Sequence, residues 1–336
     1  MVEVLAEVVR GGRVESVHHG SVAVVDAGGR LVAEAGDPGQ FLYFRSSAKP
    51  FQAIPVVESG AAGAFGLTPA ELALCCASHS GTTRHQEQVA VLLGKLGLDQ
   101  DALRCGAPFP YDPKTAALVG AKQLPRSPLG CDCSGKHSGM LAACLRLGYP
   151  IESYLEPEHP LQRRILGLVA ELCEVPADTI PLAIDGCSLP TFGGRLRDFA
   201  RAWAHLAAPT AHADALLRLR SAMLGHPENV AGEGVLDTDL MRAGGEAVVA
   251  KTGAEGLICL AIPAHGLGIA IRIADGSFRA LRVVVEATLR ALGAVDEATL
   301  AAILPVEERE LRNHNKLLVG EIRATPALRI QDRAVR

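Results

Sequence analysis

A mixed α/β (α+β) fold is predicted for this 336-residue chain: an antiparallel sheet built from both termini and packed with helices, beside a central, mainly helical lobe. Three observations carry this. Short β-rich runs at 21–26 and 30–35 are joined by Ala27-Gly28-Gly29, which reads as a hairpin. A second hairpin lies far downstream, where 257–263 and 267–274 flank Ala264-His265-Gly266, followed by apolar residues at helical spacing over 277–292. Between the hairpins the periodicity is helical, over 69–77, 84–97, 115–123, 138–147, 160–174, 194–207 and 213–224.

Joints at 106–113 and 225–234 are short and mix apolar with charged residues, so they read as ordered loops, and no internal repeat or long linker is seen. The expectation is one enzyme unit over 1–336, with a sheet lobe of 1–60 plus 230–336 and a helical lobe of 61–229. A cleft between lobes is the place to seek a site. The polar stretch 330–336 is expected to fray.

Composition limits the function classes. With 49% hydrophobic and 21% charged residues the chain can bury a core. A net charge of -4 with scattered Lys and Arg gives no nucleic-acid footprint, so a small-molecule partner is expected. The nine cysteines are an odd number, and Met-Val-Glu-Val-Leu-Ala-Glu at the start has no basic region before an apolar run. Free thiols and a cytoplasmic location follow as expectations. The most apolar stretch, 257–273, is interrupted by Pro263, His265 and Arg272, so no membrane span or membrane partner is expected.

Arg45-Ser46-Ser47-Ala48-Lys49-Pro50 holds Ser46 and Lys49 at Ser-x-x-Lys spacing. A serine hydroxyl needs a base before it becomes a nucleophile, and residues three apart are close in a helical turn or a β-turn. Burial disfavours the charged form of a lysine, which suits it to the role of base. By itself the spacing also fits an ordinary helix start. Lys251-Thr252-Gly253, directly before the second hairpin, adds the Lys-Thr-Gly element that accompanies Ser-x-x-Lys in serine β-lactamases and penicillin-binding proteins; Ser-Asp-Asn is absent.

Ser78 lies in Ala77-Ser78-His79-Ser80-Gly81, where a helix ends in a polar turn, and is a second serine able to pair with Lys251. Cys131-Asp132-Cys133-Ser134-Gly135-Lys136-His137-Ser138-Gly139 precedes an apolar helix and suits a carboxylate or an oxyanion at a helix N-terminus. Asp185-Gly186-Cys187 supplies a carboxylate for an ammonium group. The cysteines match no standard zinc finger, and each alone also fits inert core packing.

Taken in order, these motifs resemble the asparaginase II family, the thermolabile rhizobial type of bacterial asparaginase. The similarity runs over about 9–322, from Val9-Arg10-Gly11-Gly12 with Glu15 through Thr238 to Lys251–Gly256. The resemblance implies a serine β-lactamase/glutaminase-like fold and hydrolysis of L-asparagine to L-aspartate and ammonia. It implies two Ser-Lys tandems, Ser46 with Lys49 and Ser78 with Lys251. Arg45, His137, Asp185 and Glu255 are expected at the substrate, and Cys133, Lys136 and Cys187 at a zinc ion, one per chain.

Lysine is an unusual zinc ligand because it must bind as the neutral amine. Cys131 departs from the family pattern: it either competes as a ligand or oxidises with Cys133, although a Cys-x-Cys bridge is strained. Ser46 is favoured for acylation on its neighbouring lysine, with the serine roles exchangeable. A homodimer is expected. The alternatives are another serine amidohydrolase, acting on glutamine, D-alanyl peptides or β-lactams, and a non-catalytic zinc or small-molecule binding protein.

Overall fold

The computed structural model describes residues 1–326 and 328–331. The chain folds into two interleaved units, one of 1–42, 194–209 and 239–336, the other of 43–193 and 210–238. Relative to the division read from the sequence, 43–60 and 230–238 join the helical unit and 194–209 joins the sheet unit. The latter holds the helix Leu196–Ala207, which packs on strands of the sheet.

The sheet unit is antiparallel and takes strands from both ends of the chain, as the hairpins predict. Its main path runs Glu310–Arg312, Leu318–Ala324, Glu3–Arg10, Arg13–Asp26, Leu267–Ile273, Leu257–Ile262 and Val249–Thr252. The turn between Glu3–Arg10 and Arg13–Asp26 is Gly11-Gly12, both with positive φ (54° and 75°). Two such residues give the twist a tight hairpin needs, which explains the Gly-Gly pair at this point. In the Arg13–Asp26 to Leu31–Ala35 hairpin, the Asp26 carboxylate accepts from the Gly28 and Arg30 N–H groups at 3.0 and 2.9 Å.

Leu257–Ile262 is buried at every position, so both faces of the sheet are covered there. Helices Leu196–Ala207 and Leu281–Leu292 pack against the sheet. Gly268 permits the first of these contacts, since a Cβ there would lie 1.9 Å from Ala200 O and 2.2 Å from Ala204 N. Of the stretch expected to fray, Ile330 ends a short strand paired with Leu31–Ala35, and Gln331 N–H donates to Val32 O at 2.8 Å. Residues 332–336 lie outside the described residues.

The helical unit is built around Ser134–Leu147, whose residues from Ser134 to Cys144 are all buried. Pro69–Cys75, Thr83–Lys95 and Pro160–Cys173 pack on it. This helix begins four residues earlier than 138, so Ser-Gly-Lys-His is its first turn. Two glycines allow the close packing: a Cβ on Gly135 would lie 2.4 Å from Leu74 O, and one on Gly139 2.7 Å from Cys75 Sγ. The joint at 225–234 also differs from a plain loop, because Pro227–Val230 forms a helical turn started by proline. Among the described residues no helix is long and apolar enough to cross a membrane.

Candidate active site

The helical unit gathers eight of the eleven predicted site residues into one set of contacts. Arg45 opens a 3-10 turn with φ 52°, a left-handed conformation tied by its N–H to Thr191 Oγ1 at 3.2 Å. Lys49 follows as the first residue of the short helix Lys49–Gln52, and Pro50 occupies a first-turn position where its missing N–H costs nothing.

The Lys49 side chain is fully buried and turns inward. Its Nζ donates to Ala77 O at 2.6 Å, Ser78 Oγ at 2.7 Å and Cys133 Sγ at 3.2 Å, with Asp132 Oδ2 3.8 Å away. Lys49 is therefore paired with Ser78, where the spacing had paired it with Ser46. The long stem carries the ammonium past its sequence neighbour to the loop that follows Pro69–Cys75. That loop is fixed by Ser78 N–H donating to Val230 O at 2.8 Å and His79 N–H to Asp132 O at 3.1 Å. Ser46 is half-buried in the same 3-10 turn as Arg45.

Cys133, Lys136 and His137 lie at the start of the central helix. Cys187 is brought to them by a tight turn in which Asp185 N–H donates to Leu189 O at 2.8 Å and Ser188 takes φ 70°. Lys136 Nζ donates to Cys187 Sγ at 3.1 Å. Arg45 grips the Asp185 carboxylate, Nε at 2.8 Å and Nη2 at 2.7 Å from Oδ1, and Gly186 N–H donates to the same oxygen at 2.7 Å. A guanidinium and a carboxylate side by side are the complement of an α-amino acid head group, which carries both charges.

The electrostatics follow from two buried lysines among acidic groups. Hydrogen bonding with Cys133 and the nearby Lys136 ammonium pull the Cys187 thiol down to about 5. Cys133 is drawn down to about 7, first by its hydrogen bond with Cys131 and also by Lys49 and Lys136. Burial works against the charge on Lys49, but Cys133 and Asp132 outweigh it and its pKa rises. Lys136 behaves likewise, held charged against burial by Cys187 and Cys133. These neighbours favour the ammonium form of Lys49, the opposite of the lowered pKa that the sequence argument expects.

Two thiols prone to ionise and one amine make a donor set that suits a thiophilic divalent ion. The ammonium of Lys136 must lose its proton to join it. Cys131, Asp132 and Cys133 also hold their ligand atoms within 4.8 Å of one another. All nine cysteines are buried thiols.

Lys251 and Glu255 belong to the sheet unit. Lys251 is fully buried on the strand Val249–Thr252, and its Nζ donates to Thr252 O at 3.0 Å. Glu255 sits at the following turn with φ 62°, where Gly253 N–H donates to Leu257 O at 2.8 Å.

Sequence reasoning passed over Asp132, although it lay inside the Cys-Asp-Cys run, because its role depends on Lys49 from a distant segment. His79 was also missed. Its Nδ1 accepts from Gly81 N–H at 3.1 Å, so Nε2 carries the hydrogen that meets Ser134 Oγ at 2.9 Å. This ties the Ser78 loop to the central helix.

A family model described as L-asparaginase II matches residues 6–324. The chain therefore belongs to the L-asparaginase II family. No curated protein matches the chain. It is similar to a solved structure of a protein called Mglu in its native form, with 14% identity, 84% of this chain and 62% of that one covered, and TM-score 0.40. For Mglu in its L-glutamate binding form the values are 15%, 81%, 60% and 0.44. A β-lactamase from Mycobacterium bovis gives 16% identity, 81% and 94% coverage, and TM-score 0.41. The chain spans 62% and 60% of the length of these two Mglu structures.

Proposed function

We propose that the chain is an L-asparaginase that hydrolyses the side-chain amide of L-asparagine through Ser-Lys chemistry. The observation that carries this reading is the 2.7 Å hydrogen bond between the buried Lys49 ammonium and Ser78 Oγ. The neighbouring Arg45–Asp185 pair supports an amino-acid substrate: Arg45 takes the α-carboxylate and Asp185 the α-ammonium, with His137 as a further substrate contact.

In this mechanism Lys49 first gives up its ammonium proton, and as the neutral amine it takes the hydroxyl hydrogen of Ser78 while Ser78 attacks the amide carbon. Lys49 then passes that proton to departing ammonia, and water hydrolyses the acyl group. Backbone N–H groups stabilise the oxyanion. Ser46 serves proton transfer in support, an exchange of the serine roles first read from spacing. Cys133, Lys136 and Cys187 would hold a zinc ion, which would supply positive charge beside the two thiolates. The proposal includes a cytoplasmic homodimer.

The test is ammonia release by Ser78→Ala and Ser46→Ala. Loss of the attacking serine is expected to cut turnover by at least about a hundredfold, and loss of the supporting one by less. Turnover surviving at near the parent rate in both variants contradicts Ser-Lys catalysis.

A further inference from the structure

We propose that Tyr154 is a positioning residue that fixes His137 as the neutral imidazole whose Nε2–H donates to an oxygen of the bound substrate. The identity of the substrate rests on the asparaginase reading; the state of the ring does not.

Tyr154 and His137 are both fully buried. The Arg104 backbone N–H donates to the Tyr154 hydroxyl oxygen at 3.0 Å, and that oxygen lies 2.7 Å from His137 Nδ1. The rings meet edge to face, with centroids 5.5 Å apart at 82°. A phenol has one hydrogen to give, and a buried O–H left unbonded is costly. Since Arg104 already supplies a hydrogen to the oxygen, the arrangement that satisfies every group has Tyr154 O–H donating to Nδ1. Nδ1 is then the acceptor, and the ring hydrogen is on Nε2.

That Nε2 is buried and has no hydrogen-bond partner among the described residues. Buried polar atoms are nearly always bonded, so an open donor at this depth is a place kept for an acceptor. Its surroundings are those of the site: His137 stands one residue from Lys136 on the first turn of the central helix, its N–H bonded to Cys133 O at 3.1 Å. A carbonyl or carboxylate oxygen satisfies such a donor. The opposite tautomer would present a lone pair and repel it. Tyr154 is itself anchored, because its backbone oxygen accepts from Gln162 Nε2 at 2.8 Å.

The test is nitrogen NMR of the full chain with labelled histidine, without ligand, joined to kinetics. The parent should show His137 protonated at Nε2 and bare at Nδ1. Tyr154→Phe keeps the ring volume and should lose this fixed state, with kcat/KM for L-asparagine falling about tenfold, the scale of one hydrogen bond. His137→Gln supplies an N–H donor with no tautomer to set, so adding Tyr154→Phe to it should leave kcat/KM within about twofold.

Protonation at Nδ1 in the parent overturns the proposal, and so does an equal tenfold loss in both backgrounds, which would mark Tyr154 as packing only. If Tyr154→Phe does not fold, the parent spectrum still decides. If the parent does not hydrolyse L-asparagine, the functional reading fails while the tautomer is measured independently.

Discussion

Burial raises the Asp132 carboxyl from 3.8 to about 6, the adjacent Cys133 adds to the rise, and Lys49 at 3.8 Å offsets only part of it. A carboxyl that titrates higher in the folded chain than in the unfolded one adds stability below its unfolded pKa and loses it as pH rises through the folded value. Asp132→Asn removes that loss. The variant should therefore gain on the parent between about pH 4 and pH 6, by on the order of 1–3 kcal/mol. Denaturant unfolding of both proteins at the two ends of this window checks it; a difference that does not change with pH contradicts the assignment. At this scale residue types were legible in the sequence and partners were not. Arg45, Lys49, Ser78, Cys133, Lys136, His137, Asp185 and Cys187 stood out by kind and motif. Lys49 meets Ser78, 29 positions away, and no local spacing reports how far a buried lysine stem reaches.

The helix Ser134–Leu147 presents Cys133, Lys136 and His137 together, and its start was the element read least well. A helix buried all round has no polar face, so the period that marks surface helices is missing, and Ser-Gly-Lys-His reads as a turn. The hairpins were easier because β-rich runs and glycine turns are local signals. At the helix start, Gly135 is set by packing: a Cβ there meets Leu74 O, a backbone atom unable to move aside. Gly135→Ala should cost about 1–3 kcal/mol despite the better helix propensity of alanine. Urea unfolding measures this, and an unchanged or increased stability would contradict the close approach.

For the molecule as a whole, the composition and the strands from both ends led to the correct fold class. The boundaries of the units were harder to read because each unit is discontinuous in sequence: the helix Leu196–Ala207 belongs with the sheet through packing that depends on Gly268. The proposed metal is also a property of the assembled protein, since Cys187 reaches Cys133 and Lys136 only after folding. Elemental analysis should find about one zinc per chain, lost in Cys187→Ser, as a site short of one of its few ligands binds poorly. Equal zinc in the two proteins would remove these residues as ligands.

What the protein acts on is tested most directly by ammonia release from the purified full-length chain offered L-asparagine, L-glutamine and D-asparagine, with a chromogenic β-lactam in parallel. L-Asparagine hydrolysed in preference to the other three is the predicted result. Hydrolysis of the β-lactam with no ammonia released from L-asparagine would contradict it.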